Sequence, residues 1–176
     1  MFNSLKYLLI LLLIIPFPSL SNSLFQKIDI KLNKNIILNN EKNVEKKLFN
    51  IFDLNSKYVV NFWATWCKPC VAELPWFEQL HKEMTGQPVK VVLVSMDFPK
   101  QFESKLLPFV QERQLKATVI ALADMDYNSW IDKVSTEWDG AIPFTLIYKN
   151  DQRQIKLGEL DSYEELKELV GEVRTK

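Results

Sequence analysis

The two cysteines of this 176-residue chain lie three positions apart, within the stretch VVNFWATWCKPCVAELPWF at Val59–Phe77. Cys67 and Cys70 could form a disulfide staple, half of a metal site or a redox pair. A disulfide across so short a loop constrains the unfolded chain little, so it is a poor stabiliser. Structural zinc needs four ligands, and the sequence adds only one histidine, His81. The spacing therefore favours a redox pair, and we expect neither a metal site nor a cofactor.

The residues around the pair predict which sulfur reacts. Tyr58–Ala64 is apolar and rich in β-formers, which predicts a buried strand, and a helical pattern begins at Cys67. Free N–H groups at a helix N-terminus favour a thiolate on Cys67, and Lys68 adds a positive charge beside it. Cys70 lies one turn further along and can act as the resolving thiol. A C-x-x-C at a strand-to-helix junction is a specific signal for redox chemistry.

Three blocks of this sequence, FWATWCKPC, ELP and GAIPFTLIY, resemble the TlpA/ResA-like thiol–disulfide oxidoreductases of the thioredoxin superfamily. The resemblance covers roughly Tyr58–Gly171 and implies a thioredoxin fold, with Cys67 attacking and Cys70 resolving. It also implies that Pro143 is a cis-proline lying against the pair, and that the backbone of Ile142 grips an extended substrate segment. An X–Pro bond has a low cis penalty, so the sequence permits this geometry.

Glu73 is the candidate for moving protons at the pair. Thioredoxin itself has a buried Asp on the strand, six positions before the first cysteine, where this chain has Asn61. Glu73 follows Cys70 by three residues, on the same helical face, and the resemblance places a glutamate there. We expect Glu73 to accept or relay the Cys70 proton and to raise the thiol pKa values by its charge. The alternative is a solvated helix glutamate.

Other side chains are expected to shape access to the pair. Trp66 abuts Cys67 and should flank the site, while Lys68 and Pro69 lie between the cysteines as further candidate substrate contacts. The remaining aromatic residues and the histidine are expected elsewhere: Phe62 and Trp63 in the core and the floor of the site, Trp130 and Trp138 in the core, and His81 on the surface.

The elements that must position these residues alternate between strand and helix. The order β, α, β, α, β, α, β, β, α indicates an α/β protein with a central mixed sheet and helices on both faces, a thioredoxin-like layout. An inserted strand–helix segment, Asp97–Trp138, is where we look for substrate specificity. After the first helix, which contains Pro75, the predicted elements are a strand at Val89–Ser95, a helix at Phe102–Leu115, a strand at Thr118–Ala123, a helix at Tyr127–Trp138, a hairpin of Phe144–Tyr148 and Gln152–Lys156, and a last helix capped by Asp161 with Glu164.

The first residues predict export. Met1–Lys6 carries one positive charge, Tyr7–Ile15 is an unbroken apolar run, and Ser19-Leu20-Ser21 offers small residues to a signal peptidase. We expect a signal peptide at 1–21 and a thioredoxin-like domain at 22–176, working outside the cytoplasm (in the periplasm, if the cell has two membranes). An uncleaved anchor is the alternative, although an apolar core of roughly ten residues is short for a span of about 20.

Composition argues against two classes of protein. With 47% hydrophobic residues, 25% charged residues and a formal net charge of zero, the chain has neither the bias of a disordered segment nor the basic excess that nucleic acid demands. The polar stretch Asn33–Lys47 is expected to be an entry segment at the surface. We expect a monomer with one core.

The function that follows is the reduction of disulfides in exported proteins, with apocytochrome c a candidate through the resemblance. A membrane thiol reductant must recharge the pair, because the chain has no nicotinamide or flavin motif. A disulfide-forming oxidase of the same fold and a non-enzymatic copper or thiol carrier remain open. A thiol peroxidase is disfavoured, because those enzymes use Thr-x-x-Cys and Thr65 lies two residues before Cys67.

Overall fold

A six-stranded mixed sheet organises the protein, whose computed structural model describes residues 36–39 and 55–173. The strands are β1 Ile36–Asn39, β2 Lys57–Trp63, β3 Val89–Ser95, β4 Thr118–Leu122, β5 Phe144–Lys149 and β6 Gln152–Leu157. Their order is β1-β4-β3-β2-β5-β6; the first four run parallel, and β5 is antiparallel to its neighbours β2 and β6. The predicted α/β class and mixed sheet are confirmed.

Helices cover both faces of the sheet. The α-helices are α1 Lys68–Glu83, α2 Leu107–Glu112, α3 Ile131–Val134 and α4 Tyr163–Glu172. Successive residues of a strand point to opposite faces. Asn61 of β2 donates a hydrogen bond to Glu73 of α1, while the next residue, Phe62, packs against Trp130 and Trp138 beside α3. Because both of its faces are covered, every residue of β2 is buried.

The aromatic residues predicted for the core lie there. Phe62, Trp130, Trp138 and Phe144 form one cluster, in which the rings of Trp138 and Phe144 stack with centroids 4.4 Å apart. Trp63 is buried on the opposite face and contacts Phe109. The strand that leads into the cysteine pair is therefore fixed by large apolar contacts on both sides.

Two predicted helices are wrong in extent. The segment Phe102–Leu115 divides into a π-helical turn, Phe102–Leu106, and the short α2, because Pro108 has no N–H to continue the ladder. The segment Tyr127–Trp138 holds only a 3₁₀ turn, Tyr127–Ser129, and the four residues of α3. Burial of the Trp130 and Trp138 indoles overrides the helical spacing there.

One strand and one helix cap also differ from the predictions. The polar stretch Asn33–Lys47 contains β1, which pairs with β4 at the edge of the sheet. The last helix is capped by Ser162, not Asp161: the Ser162 hydroxyl accepts from the Glu165 N–H, and the Glu165 carboxylate accepts from the Asp161 N–H. The capping box is thus shifted by one residue from the predicted Asp161–Glu164 pair.

The predicted signal peptide and the domain boundary at residue 22 lie outside the described residues and stay predictions. Within residues 36–39 and 55–173, no helix has the length and apolar character needed to cross a bilayer.

Candidate active site

The cysteine pair lies where β2 passes into α1. After Trp63 the chain makes a turn, closed by a 3.1 Å hydrogen bond from the Cys67 N–H to the Ala64 carbonyl. Cys67 is the N-cap of α1, and its sulfur accepts from the Cys70 N–H at 3.4 Å. Pro69 fits the first turn because that position needs no backbone donor. The predicted placement of Cys67 at a helix N-terminus is confirmed.

Cys67 and Cys70 are joined as a disulfide, and the two sulfurs differ in accessibility. Cys67 is 6% exposed and Cys70 is fully buried. A partner thiol or disulfide can therefore approach only Cys67. The N-terminal end of α1 favours negative charge on that same sulfur once the bond is opened.

The loop before β5 lies against the pair. The Ile142–Pro143 peptide bond is cis, as the sequence analysis expected. The carbonyl oxygen of Ile142 is 3.8 Å from the Cys67 sulfur. A disulfide sulfur carries no proton, so this is a close contact in the oxidised form and becomes a possible hydrogen bond when Cys67 is a thiol.

Glu73 is a buried carboxyl, not a solvated one. Its side chain is 1% exposed and receives hydrogen bonds from the Asn61 amide at 2.9 Å and from the Leu160 N–H at 3.0 Å. Burial, the largest cause, raises the pKa of Glu73 to about 7, against the lowering effect of those two bonds. The nearby charges of Glu159 and Glu165 raise it further. The carboxyl is thus set to exchange a proton near neutral pH.

The side chains around Cys67 leave an open approach. Trp66 is 55% exposed, Lys68 is exposed and Pro69 is half-buried. A groove of about 360 Å³ is lined in part by Trp66, the neighbour of Cys67 in the chain, and by Ile142. Its other lining residues are Met96, which directly follows β3, and residues of the inserted segment and the loop after it: Phe98, Tyr127, Asn128, Ile131, Asp139 and Gly140.

A second buried carboxylate, which the sequence did not indicate, contacts the turn before Cys67. Asp97, just after β3, is fully buried and accepts hydrogen bonds from the backbone and the hydroxyl of Thr65. The available signal was positional: β2 and β3 are parallel neighbours, so the loops that follow them leave the same edge of the sheet. His81 plays no part in the site; it lies partly exposed in the last turn of α1.

Two polar groups complete the surroundings of Glu73. The Asn61 amide also donates to the Thr145 hydroxyl at 3.1 Å, which ties α1 to both β2 and β5.

Across residues 36–39 and 55–173, no group of three or more His, Cys, Asp and Glu side chains is placed to hold a metal ion.

Comparison with known proteins places this site in a family. The profile of the AhpC/TSA family matches residues 28–156, well over half of the chain. The chain belongs to the AhpC/TSA family. It is similar to the thiol-disulfide oxidoreductase ResA of Oceanobacillus iheyensis, with 44% identity over 55 residues, 31% of this chain and 29% of the relative. Sporulation thiol-disulfide oxidoreductase A of Bacillus subtilis is 27% identical over 79 residues, 45% and 48% of the two chains. The matched segments thus span less than half of these relatives.

Solved structures with a similar fold match a larger share of this chain than the two relatives do. A thioredoxin-family thiol:disulfide interchange protein from Chlorobium tepidum has a TM-score of 0.55 at 21% identity, over 68% of this chain and 81% of the other. StoA from Bacillus subtilis has a TM-score of 0.52 at 23% identity, over 68% and 85%. At this identity the likeness shows the fold, which is thioredoxin-like. Together with the ResA relatives, it confirms the resemblance that the WCKPC block indicated.

Proposed function

We propose that the protein is an extracytoplasmic thiol–disulfide oxidoreductase that reduces disulfides in exported proteins. The observation that carries the proposal is the asymmetric Cys67–Cys70 pair: Cys67, at a helix N-terminus, keeps 6% of its surface exposed, whereas Cys70 is fully buried. A stabilising disulfide needs no such asymmetry. Two successive exchange reactions need one sulfur that meets the substrate and one that resolves the intermediate.

The first exchange begins with the reduced pair. The Cys67 thiolate attacks one sulfur of a substrate disulfide, forming a mixed disulfide and expelling a substrate thiolate, which takes up a proton from water. The α1 N-terminus favours the attacking thiolate, and Cys67 is the more exposed residue of the pair. The exposed Trp66 and the groove that begins beside it would hold the chain on either side of the substrate cysteine.

The second exchange needs a proton acceptor in the interior. Cys70 is buried and must lose its proton before it attacks the Cys67 sulfur of the mixed disulfide. Glu73 lies one helical turn further along α1, is equally sealed from solvent, and has a pKa of about 7. Its carboxylate accepts the Cys70 proton, the Cys67–Cys70 disulfide forms, and the second substrate thiolate leaves. One substrate disulfide becomes two thiols while the dithiol becomes a disulfide.

The substrate and the reductant follow from the same reasoning. An extended polypeptide with a cysteine at its centre suits the groove and the Ile142 carbonyl beside Cys67. The oxidised pair must then be reduced by an external dithiol, which we assign to a membrane protein because the predicted leader places the domain outside the cytoplasm. Apocytochrome c is one candidate substrate among exported proteins.

Trapping of the intermediate tests the proposal. Cys70→Ser, after reduction and mixing with insulin as a disulfide-bonded probe, should form a stable adduct that reducing agent releases. Cys67→Ser, the matched control, should form none, because the remaining thiol is buried. Adducts formed by Cys67→Ser but not by Cys70→Ser would reverse the roles of the two sulfurs. No adduct with either variant would remove the exchange mechanism.

A further inference from the structure

The turn that carries Trp66 and Cys67 is held by a buried carboxylate that the exchange mechanism does not use. Asp97 follows β3 and has no exposed surface. Its two oxygens accept three hydrogen bonds: from the Thr65 N–H at 3.0 Å, from the Thr65 hydroxyl at 2.5 Å and from the Ser95 hydroxyl at 2.8 Å. Two of the three donors therefore belong to one residue of the active-site turn.

The Ala64–Cys67 turn leaves one backbone donor that needs a hydrogen-bond acceptor from outside the turn. The hydrogen bond from the Cys67 N–H to the Ala64 carbonyl closes a four-residue turn, which leaves the N–H of Thr65 without a partner inside it. Asp97 supplies that partner and also fixes the Thr65 side chain. The carboxylate is fixed in turn, because Ser95, also fully buried, donates to Asp97 and accepts from its N–H at 3.2 Å.

The sheet explains why this contact forms. Trp63 and Ser95 are paired in the parallel register of β2 and β3, and the Met96 N–H donates to the Trp63 carbonyl at 2.8 Å. The two chains therefore leave the sheet side by side. A buried carboxylate costs free energy unless donors surround it, and charge-assisted bonds of this kind are the stronger ones. All three of the donors to Asp97 lie at this edge.

We propose that Asp97 is a positioning residue for the redox pair: by holding Thr65 it fixes the Ala64–Cys67 turn and keeps the Cys67 sulfur aligned on the first turn of α1 when the disulfide is open. This inference rests on the proposed dithiol–disulfide function. It adds a residue of the inserted segment to the apparatus that controls reactivity, and that residue touches neither substrate nor sulfur.

The restraint that Asp97 places on Cys67 should matter more in the dithiol form than in the disulfide form. In the disulfide form, the covalent bond itself restrains Cys67. In the dithiol form, the restraint comes from the turn, and therefore from Asp97. Loss of Asp97 gives the dithiol more conformational freedom, so the equilibrium moves towards the dithiol. We expect Asp97→Ala to shift the equilibrium constant with glutathione by about tenfold, which corresponds to about 30 mV for a two-electron couple.

Conservative variants separate geometry from stability. In Asp97→Asn, the amide oxygen can accept from the Thr65 N–H and the amide nitrogen can donate to the Thr65 hydroxyl, so we expect a shift of no more than about threefold. Thr65→Val removes the hydroxyl at constant shape, whereas Thr65→Ser retains it. Asp124→Ala is the matched control, because Asp124 follows the neighbouring parallel strand β4 and accepts from the Asp126 N–H alone.

The experiment equilibrates the full-length protein and each variant with glutathione buffers and counts free thiols by alkylation and mass. A role limited to global stability would weaken both redox forms equally and leave the equilibrium constant unchanged. We expect the shift to be largest in Asp97→Ala, smaller in Thr65→Val, and within twofold of wild type in Thr65→Ser and Asp124→Ala.

Equal constants for wild type, Asp97→Ala and Thr65→Val would overturn the inference while leaving the proposed function intact. A wild-type pair that does not equilibrate with glutathione at all would instead refute the proposed function. If Asp97→Ala does not fold, the difference between Thr65→Val and Thr65→Ser decides the question, and its absence counts against the inference.

Discussion

Two buried carboxylates flank the redox pair, and their surroundings differ. Glu73 lies on the α1 side with two donors, one amide and one backbone N–H, and its pKa is raised to about 7. Asp97 lies on the β3 side with three donors, two of them hydroxyls, and holds the turn before Cys67. We expect the same chemical group to serve for proton exchange in one place and for geometry in the other.

The difference shows that burial alone does not assign a role. Both carboxylates are sealed from solvent, with Glu73 at 1% exposure and Asp97 at none. What separates them is position: Glu73 projects from the helix that contains Cys70, while the bonds to Asp97 end on Thr65, two residues before Cys67. Variants at Glu73 should therefore change the proton-transfer step, and variants at Asp97 should change the redox equilibrium.

Loss of the Glu73 carboxyl should have the largest effect on turnover. In Glu73→Gln, no group accepts the Cys70 proton, and we expect the second exchange to slow by about 10²-fold at pH 8, in line with the usual contribution of a general base. The wild-type rate should rise with pH through about 7 as Glu73 ionises, and this rise should be absent from the variant. Stopped-flow measurement of thiol release from a Cys67 mixed disulfide follows the step directly.

Asp97→Asn is the control for the comparison of wild type with Glu73→Gln, because it changes the other buried carboxylate. We expect the rate of its second exchange to rise with pH near 7, as in wild type, whatever the absolute rate. If Asp97→Asn lost the rise and Glu73→Gln kept it, the two roles would have to be exchanged.

Much of this site could be predicted from the sequence because most of its residues lie close together in the chain. The C-x-x-C spacing, the strand before it and the helical pattern after it place Cys67 at a helix N-terminus, and Glu73 follows one turn beyond Cys70. The proline that lies against the pair was recognised through the resemblance of GAIPFTLIY. Each of these features depends on residues close together in the chain or on a specific block.

The missed features depend on contacts between distant segments. The bonds between Thr65 and Asp97 span 32 residues, and that between Leu160 and Glu73 spans 87. Periodicity predicted a helix at Tyr127–Trp138, but packing of both indoles against Phe62 leaves only a short helical turn there. Tertiary packing decides such cases, and a single sequence does not reveal it.

Protein stability should report the Glu73 ionisation independently of catalysis. Its folded pKa of about 7 lies above its ordinary value of 4.5, so folding favours the protonated form. The stabilisation is fully present below about pH 4.5 and is lost as pH rises through about 7, a change of about 3 kcal/mol. Urea unfolding of the oxidised protein should show this fall in wild type relative to Glu73→Gln. A constant difference between the two from pH 4 to pH 8 would contradict the assigned pKa.

A second carboxyl beside Glu73 should move its titration by a smaller amount. Asn61→Asp replaces an amide that donates to Glu73 at 2.9 Å with an acid at the same place. Two carboxyls so close share a proton, and the upper apparent pKa of the pair should rise by about one unit or more. The midpoint of the pH–rate profile measures it. Thr145→Val, which loses only the neutral bond to Asn61, should leave the midpoint nearly in place; equal midpoints in all three proteins would exclude the coupling.

The smallest effect is expected from a surface charge. Glu159 is exposed, and its charge raises the pKa of Glu73. Glu159→Gln should lower the midpoint by a few tenths of a pH unit at low ionic strength, and the difference should vanish in high salt, where exposed charges are screened. If the midpoint stayed lower in high salt, the variant would be changing the structure around Glu73 rather than only removing the electrostatic effect of the Glu159 charge.

The reduction potential of the Cys67–Cys70 pair tests the central claim most directly. The full-length protein is equilibrated with dithiothreitol buffers, and tryptophan fluorescence, to which Trp66 beside Cys67 contributes, follows the two forms. A reversible two-electron couple near the thioredoxin value of about −270 mV is the result that a reductant requires. A value near about −120 mV would make the protein an oxidant that forms disulfides, and the absence of a reversible couple would contradict the account altogether.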